Sequence, residues 1–195
     1  PDPAVAGPVQ WANAAAAIAA LHALSMDETW LGPAALAAAA TLGLRNVHVP
    51  GRLQVLGGDP AVIVDVGHNP QAARVLAQWL DGHAPRRVHA VYGAMADKDV
   101  AGVVAALGKR IAHWHLGGLE QETSRGMASA ALAAVLHATL PEARFDAYAD
   151  IREALTAACS QAQAGEWILA FGSFHVARAA LSAHEVSPGM ASGQR

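Results

Sequence analysis

The ten residues Ala61-Val62-Ile63-Val64-Asp65-Val66-Gly67-His68-Asn69-Pro70 run from an unbroken apolar stretch into a carboxylate, an imidazole and an amide. A short apolar run bounded by turn residues reads as a buried strand. Asn69-Pro70 reads as the cap and first position of a helix, since the Asn side chain can accept a free helix N–H and Pro has none to lose. Where a buried strand gives way to a helix in an open α/β sheet, ligands bind, so this polar turn is where chemistry is expected.

Working outward, Arg52–Leu56, the turn Gly57-Gly58-Asp59-Pro60 and Ala61–Val66 form a hairpin pattern, because the turn holds the residues that tight reversals favour. Downstream the pattern alternates. Strands are expected at Arg87–Tyr92, Ile111–Leu116, Ala143–Tyr148 and Trp167–Phe171, and helices at Pro70–Leu80, Val100–Leu107, Met127–Leu140, Ile151–Ala162 and Val176–Leu181. Such spacing signals parallel βαβ units with right-handed crossovers. The fold class expected is α/β: a Rossmann-like, mostly parallel sheet of about six strands, with an N-terminal hairpin strand and helices on both faces. Upstream, Gln10–Leu24 reads as a helix with Ile18, Leu21 and Leu24 on one face, and Gly32-Pro33 opens a second that ends near Leu42-Gly43. Three segments follow: a helical piece over 1–45, the α/β domain over 46–183 and an unpacked tail over 184–195.

Composition narrows the function classes. The net charge of -3 comes without a basic stripe, which argues against nucleic acid as a partner. The apolar run Ala14–Leu21 is far shorter than the roughly 20 residues of a membrane span. A lone Cys159 in a helical pattern reads as a small core residue, and with no internal disulfide framework the chain suits a reducing cytosol. Small molecules and proteins are the partners expected.

Four polar clusters fall at strand ends or at the entry to the domain: Pro50-Gly51-Arg52, Asp65–Pro70, Asp97-Lys98-Asp99 and Gly172-Ser173-Phe174. Singly each is weak, because a charged turn is usually just solvated and His68 could merely accompany the helix cap. His113-Trp114-His115 has the spacing of two metal ligands on one strand face, but no third ligand is evident beside it, so no metal site is assigned. Trp11, Trp30, Trp79 and Trp167 read as core or interdomain packing.

Taken in order, Gln10-x-x-Asn13-Ala14, PGR at 50–52, DVGHNP at 65–70, YGAMADKD at 92–99 and FGSF at 171–174 carry more weight. In order and spacing the series resembles the C-terminal half of bacterial dihydrofolate synthase/folylpolyglutamate synthase, of the Mur ligase superfamily. Gly67 departs slightly from that family, which more often has Ala there. The resemblance implies a cytoplasmic ligase, monomeric as a whole enzyme, that uses ATP and Mg²⁺ to phosphorylate a carboxylate of dihydropteroate or a folate and joins glutamate to it. It further implies Asn13, Arg52, Asp65 and His68 as ATP-binding residues, His68 and Ser173 as glutamate-binding residues, and His68 and Lys98 as candidates in catalysis.

Members of that family open with an ATPase domain whose phosphate loop holds the triphosphate. These 195 residues contain no GxxxxGK[ST] match, since Gly108-Lys109 is followed by Arg110. The expectation is therefore a C-terminal domain, inactive alone, that docks an N-terminal ATPase domain holding most of the Mg²⁺ and triphosphate contacts. Two other classes compete with it. A nicotinamide oxidoreductase would carry GxGxxG where DVGHNP stands. A non-catalytic binding or regulatory module with the ligase fold would differ in whether an ATPase segment lies upstream of Pro1, and the C-terminal domain of another Mur-type ligase is a further alternative.

Overall fold

The computed structural model describes residues 10–27, 32–47, 49–83 and 86–186. Two helices come first, α1 (Gln10–Asp27) and α2 (Pro33–Asn46). Alanine dominates both, and it loses the least on entering a helix; Pro33 sits in the first turn of α2, where its missing N–H costs nothing. There follow β1 (Gln54–Gly57), β2 (Ala61–Val64), α3 (Pro70–His83), β3 (Val88–Tyr92), α4 (Val100–Leu107), β4 (His113–Gly117), α5 (Ser129–Thr139), β5 (Phe145–Tyr148), α6 (Ile151–Gln161), β6 (Trp167–Phe171) and α7 (Phe174–Val186).

The sheet has six strands in the order β1-β2-β6-β3-β4-β5. Only the β1–β2 hairpin is antiparallel. The pairs β2–β6, β6–β3, β3–β4 and β4–β5 are parallel, which bears out the fold class. One face packs on α3, α4 and α5 through Leu76, Val103, Leu107, Leu132 and Leu136, with Tyr92, Trp114 and Phe171 clustered on the sheet side. The other face carries Val64, Val91, Ile168 and Ala170 against Ile151, Ala154 and Ala158 of α6 and Val176, Ala177 and Ala180 of α7. β3 is buried along its whole length, as a strand covered on both faces must be. Caps fix the helix starts: Asp99 accepts the Gly102 N–H at 2.8 Å, and Asp150 accepts that of Glu153 at 2.9 Å.

Several boundaries differ from the sequence reading. The strand expected from Ile111 begins at His113, because Gly108–Arg110 adds a 3₁₀ turn after α4. The strand expected from Ala143 begins at Phe145. α7 runs through His184 to Val186, so the tail expected from 184 starts later, and residues 187–195 lie outside those described. Of the α1 face read from sequence, Ile18 is half-buried while Leu21 and Leu24 stand in water, and Trp11 is 57% exposed, so it is not a core residue of the described fold. Trp79 and Trp167 do pack against the core, 5.3 Å apart between ring centroids, whereas Trp30 is outside the described residues. No described helix is long and apolar enough to cross a membrane.

Candidate functional site

The loop after β2 is built around Asp65. Its Oδ2 accepts the Leu53 N–H at 2.9 Å and its Oδ1 accepts the Gly67 N–H at 2.6 Å. A further bond, Val66 N–H to the Gly51 carbonyl at 2.8 Å, ties the same two loops together. The loop held this way is bent. Gly51 has φ 70° and Leu53 has φ 44°, a left-handed conformation that a residue with a Cβ adopts at a cost. A Cβ on Gly51 would also meet Val66 Cγ1 at 2.9 Å, so glycine is required there twice over. Arg52, between these two left-handed residues, is exposed. Burial pushes the Asp65 carboxyl above its ordinary range, against the amides of Leu53 and Gly67 and the nearby Arg52 guanidinium, which favour its charge.

Arg52 and Asp65 open on a cavity of about 290 Å³ that is also lined by Gln10, Asn13, Asn69 and Gln71 and floored by Leu53, Ala72, Val75 and Leu76. Asn13 Nδ2 donates to Gln10 Oε1 at 3.1 Å across the α1 surface. Three of the four residues expected to bind ATP, Asn13, Arg52 and Asp65, thus share one cavity although 52 positions separate the outer two, and the fourth, His68, does not line it. Asn69 caps α3 through the Ala72 N–H at 2.9 Å, as read from sequence, and lines the cavity as well. Gln71 was not singled out; nothing in a lone glutamine on a helix's first turn marks it.

The remaining candidates stand elsewhere along the carboxyl end of the sheet. His68 Nδ1 lies 3.0 Å from the Val66 carbonyl. A carbonyl only accepts, so Nδ1 carries a proton, and in the neutral ring Nε2 presents the lone pair. Lys98 Nζ pairs with Asp97 at 3.2 Å, and Arg125 donates to the same carboxylate at 2.8 Å. The stretch 120–125 is therefore tied to the loop after β3, with the Ala96 N–H to the Arg125 carbonyl at 2.9 Å as a second link. Ser173 is buried, and its Oγ accepts the Val176 N–H at 3.2 Å, capping α7. Gly172 before it has φ 111° and passes so close to Gly93 and Tyr92 that a Cβ would sit 2.6 Å from both. Neither His68, Lys98 nor Ser173 lines the 290 Å³ cavity.

At the opposite end of the sheet lies a second polar group that the sequence reading missed. β3, β4 and β5 are in parallel register with His89 opposite His113 and His115 opposite Asp146, so these four side chains share one face. Asp146 is thus the third potential ligand that was not evident beside His113 and His115. The reason is physical: it comes from a strand 31 residues further on, reachable only through the register. Trp114, pointing to the other face, is fully buried, with no partner for its indole N–H among the described residues.

A model of the Mur ligase glutamate ligase domain matches residues 51–174, and the chain belongs to that family. Its relatives include the dihydrofolate synthase/folylpolyglutamate synthase of Escherichia coli strain K12, 34% identical over 164 residues that make up 84% of this chain and 35% of the relative. Among solved structures, E. coli FolC in complex with DHPP and ADP is similar with a TM-score of 0.78 at 31% identity, over 97% of this chain and 41% of that one. A bifunctional folylpolyglutamate synthase/dihydrofolate synthase with Mn, AMPPNP and L-glutamate bound gives 0.62 at 33% identity, over 79% and 40%. The resemblance drawn from the five motifs is borne out. The chain spans well under half the length of these relatives.

Proposed function

We propose that this chain is the glutamate-ligase half of an ATP-dependent enzyme that joins glutamate to dihydropteroate or a folate. The observation that carries the reading is the cavity that brings Asn13, Arg52 and Asp65 together at the carboxyl end of β2. In that enzyme an N-terminal ATPase domain closes the cleft from the other side and supplies the phosphate loop. A substrate carboxylate oxygen attacks the γ-phosphorus, releasing ADP and forming an acyl phosphate; the glutamate nitrogen then attacks the acyl carbon, and phosphate leaves as the amide forms.

Each side chain has a part in this. Asn13 meets the adenine. Arg52 meets the phosphates, because a guanidinium keeps its charge and its fork matches oxyanions. Asp65 acts mainly by holding the Arg52 loop, since both its oxygens already accept backbone amides. His68 offers Nε2 to the incoming amine and takes its proton as the amide forms. Ser173, with its hydroxyl hydrogen still available at the start of α7, holds a glutamate carboxylate, and Lys98 balances charge in the cleft. Mg²⁺ serves this chemistry by neutralising phosphate charge. Among the described residues the only carboxylate lining the cavity is Asp65, already engaged, so the donor set here does not suit a hard cation and the metal belongs to the ATPase half.

The test is nuclear magnetic resonance of the chain with ADP. Without a phosphate loop, binding should be weak, with a Kd on the order of 1 mM, about 4 kcal/mol. Addition of about 10 mM ADP should then shift the Asn13 and Gln71 side-chain amides and the Gly51–Leu53 backbone, and the Arg52→Ala variant should lose the response. Shifts confined to other surfaces, or none, would remove the reading.

A further inference from the structure

At the amino end of the sheet, Arg87, Glu166, His89, His115 and Tyr148 form a chain that the ligase reading does not use. Glu166 is buried, held by the Gln163 N–H at 3.0 Å, with Arg87 Nε 3.9 Å away. These neighbours and His89 keep it ionised. A carboxylate only accepts, so His89 Nε2, 3.3 Å from Glu166, carries a proton. With Nε2 as its donor, the neutral His89 ring presents the lone pair of Nδ1 as its acceptor. That lone pair lies 3.1 Å from His115 Nε2, which must supply the hydrogen. By elimination His115 Nδ1 carries a lone pair, with the Tyr148 hydroxyl 3.4 Å away. A carboxylate and one imidazole thus fix the tautomer of a second, fully buried imidazole, which is how proteins orient histidines that ligate metals.

Beside His115, the sheet register sets His113 and Asp146. Their Nε2 and Oδ2 are 2.9 Å apart, and a donor atom from each of His113, His115 and Asp146 lies within 4.8 Å of the others. His115 is buried, His113 is one-fifth exposed and Asp146 is half exposed, so the trio has one dry side and one side open to solvent. We propose that His113, His115 and Asp146 form a binding site for a first-row divalent transition metal of the Zn²⁺ or Co²⁺ kind, with water completing the coordination on the Asp146 side. Two imidazoles and one carboxylate suit such ions and suit Mg²⁺ or Ca²⁺ poorly. Bonds of about 2.0–2.2 Å require the three donors to draw together, and the exposed Asp146 and His113 side chains are free to do so. Glu166 and His89 are positioning residues here, acting through His115.

The experiment uses the untagged, metal-stripped chain. Calorimetry should show one Zn²⁺ bound per chain, and Co²⁺ should give visible absorption bands typical of low coordination number. His113→Ala and Asp146→Asn, both at solvent-accessible positions, should keep the far-ultraviolet spectrum, weaken Zn²⁺ at least about tenfold and alter the Co²⁺ bands. Glu166→Gln should weaken Zn²⁺ by about tenfold, and millimolar Mg²⁺ should displace nothing. The proposal is overturned if Zn²⁺ fails to bind stoichiometrically. It is equally overturned if affinity and Co²⁺ spectrum are unchanged in His113→Ala and Asp146→Asn, which would assign the metal to others of the ten histidines.

Discussion

Asp65 is the residue on which the cleft depends, and its work is within the protein as much as toward a ligand. It clasps Leu53, twelve residues away, in a left-handed conformation, and so sets where Arg52 stands. Removing both acceptors in Asp65→Ala leaves two buried N–H groups unpaired, at about 1–3 kcal/mol each, and chemical denaturation should register a loss of about 2–6 kcal/mol. The carboxyl also titrates in a telling direction. Its folded value is raised by burial, so its stabilising contribution is complete below the ordinary carboxyl value of about 3.8 and is lost as pH rises through the raised one. Melting followed by circular dichroism should therefore show the wild type gaining on Asp65→Asn as pH is lowered; a difference independent of pH would contradict the burial argument. Sequence placed Asp65, Arg52 and Asn13 at a common site through the motif order, but the Leu53 partner was illegible. Nothing local signals that a leucine will take positive φ or that its amide will meet a carboxylate twelve positions on.

β4 shows how much a strand's alternation discloses. His113 and His115 fall on one face and Trp114 on the other, as period two dictates. The alternation alone does not say which face is dry. The Trp114 face is dry beneath the Tyr92, Phe171 and α5 cluster, whereas the other is closed at His115 and open at His113, which is one-fifth exposed. The indole N–H of Trp114 has no partner among the described residues, so Trp114→Phe deletes an unpaired buried donor while opening a modest void. The two effects offset, and the net loss should stay below about 1.5 kcal/mol, against about 3–5 for Trp114→Ala. A Phe variant as damaging as the Ala variant would mean the indole N–H has a bonded partner. Helix positions were legible from periodicity and caps, with β6 and α4 placed to the residue. The misplaced starts of β4 and β5 arise because Ile111 and Ala143 are apolar residues that serve turns, a use that hydrophobicity cannot distinguish from a strand.

At the scale of the whole molecule, the α/β domain is densely packed and the two leading helices are not. If the ATPase half supplies the phosphate loop, this chain with ATP, dihydropteroate and glutamate should release no phosphate above background, and measurable turnover would sink that division of labour. The difference in packing has a practical side. Trp11, Leu24 and Leu42 on α1 and α2 are each more than half exposed in the native fold. Apolar side chains presented to water in this way take up reporter dyes such as anilinonaphthalene sulfonate, and they favour self-association at high concentration. Dye fluorescence will accordingly start high with the protein still folded, a signature easily misread as a molten state, and the tryptophan emission spectrum will carry a red-shifted component from Trp11 alongside the blue component of the enclosed Trp114.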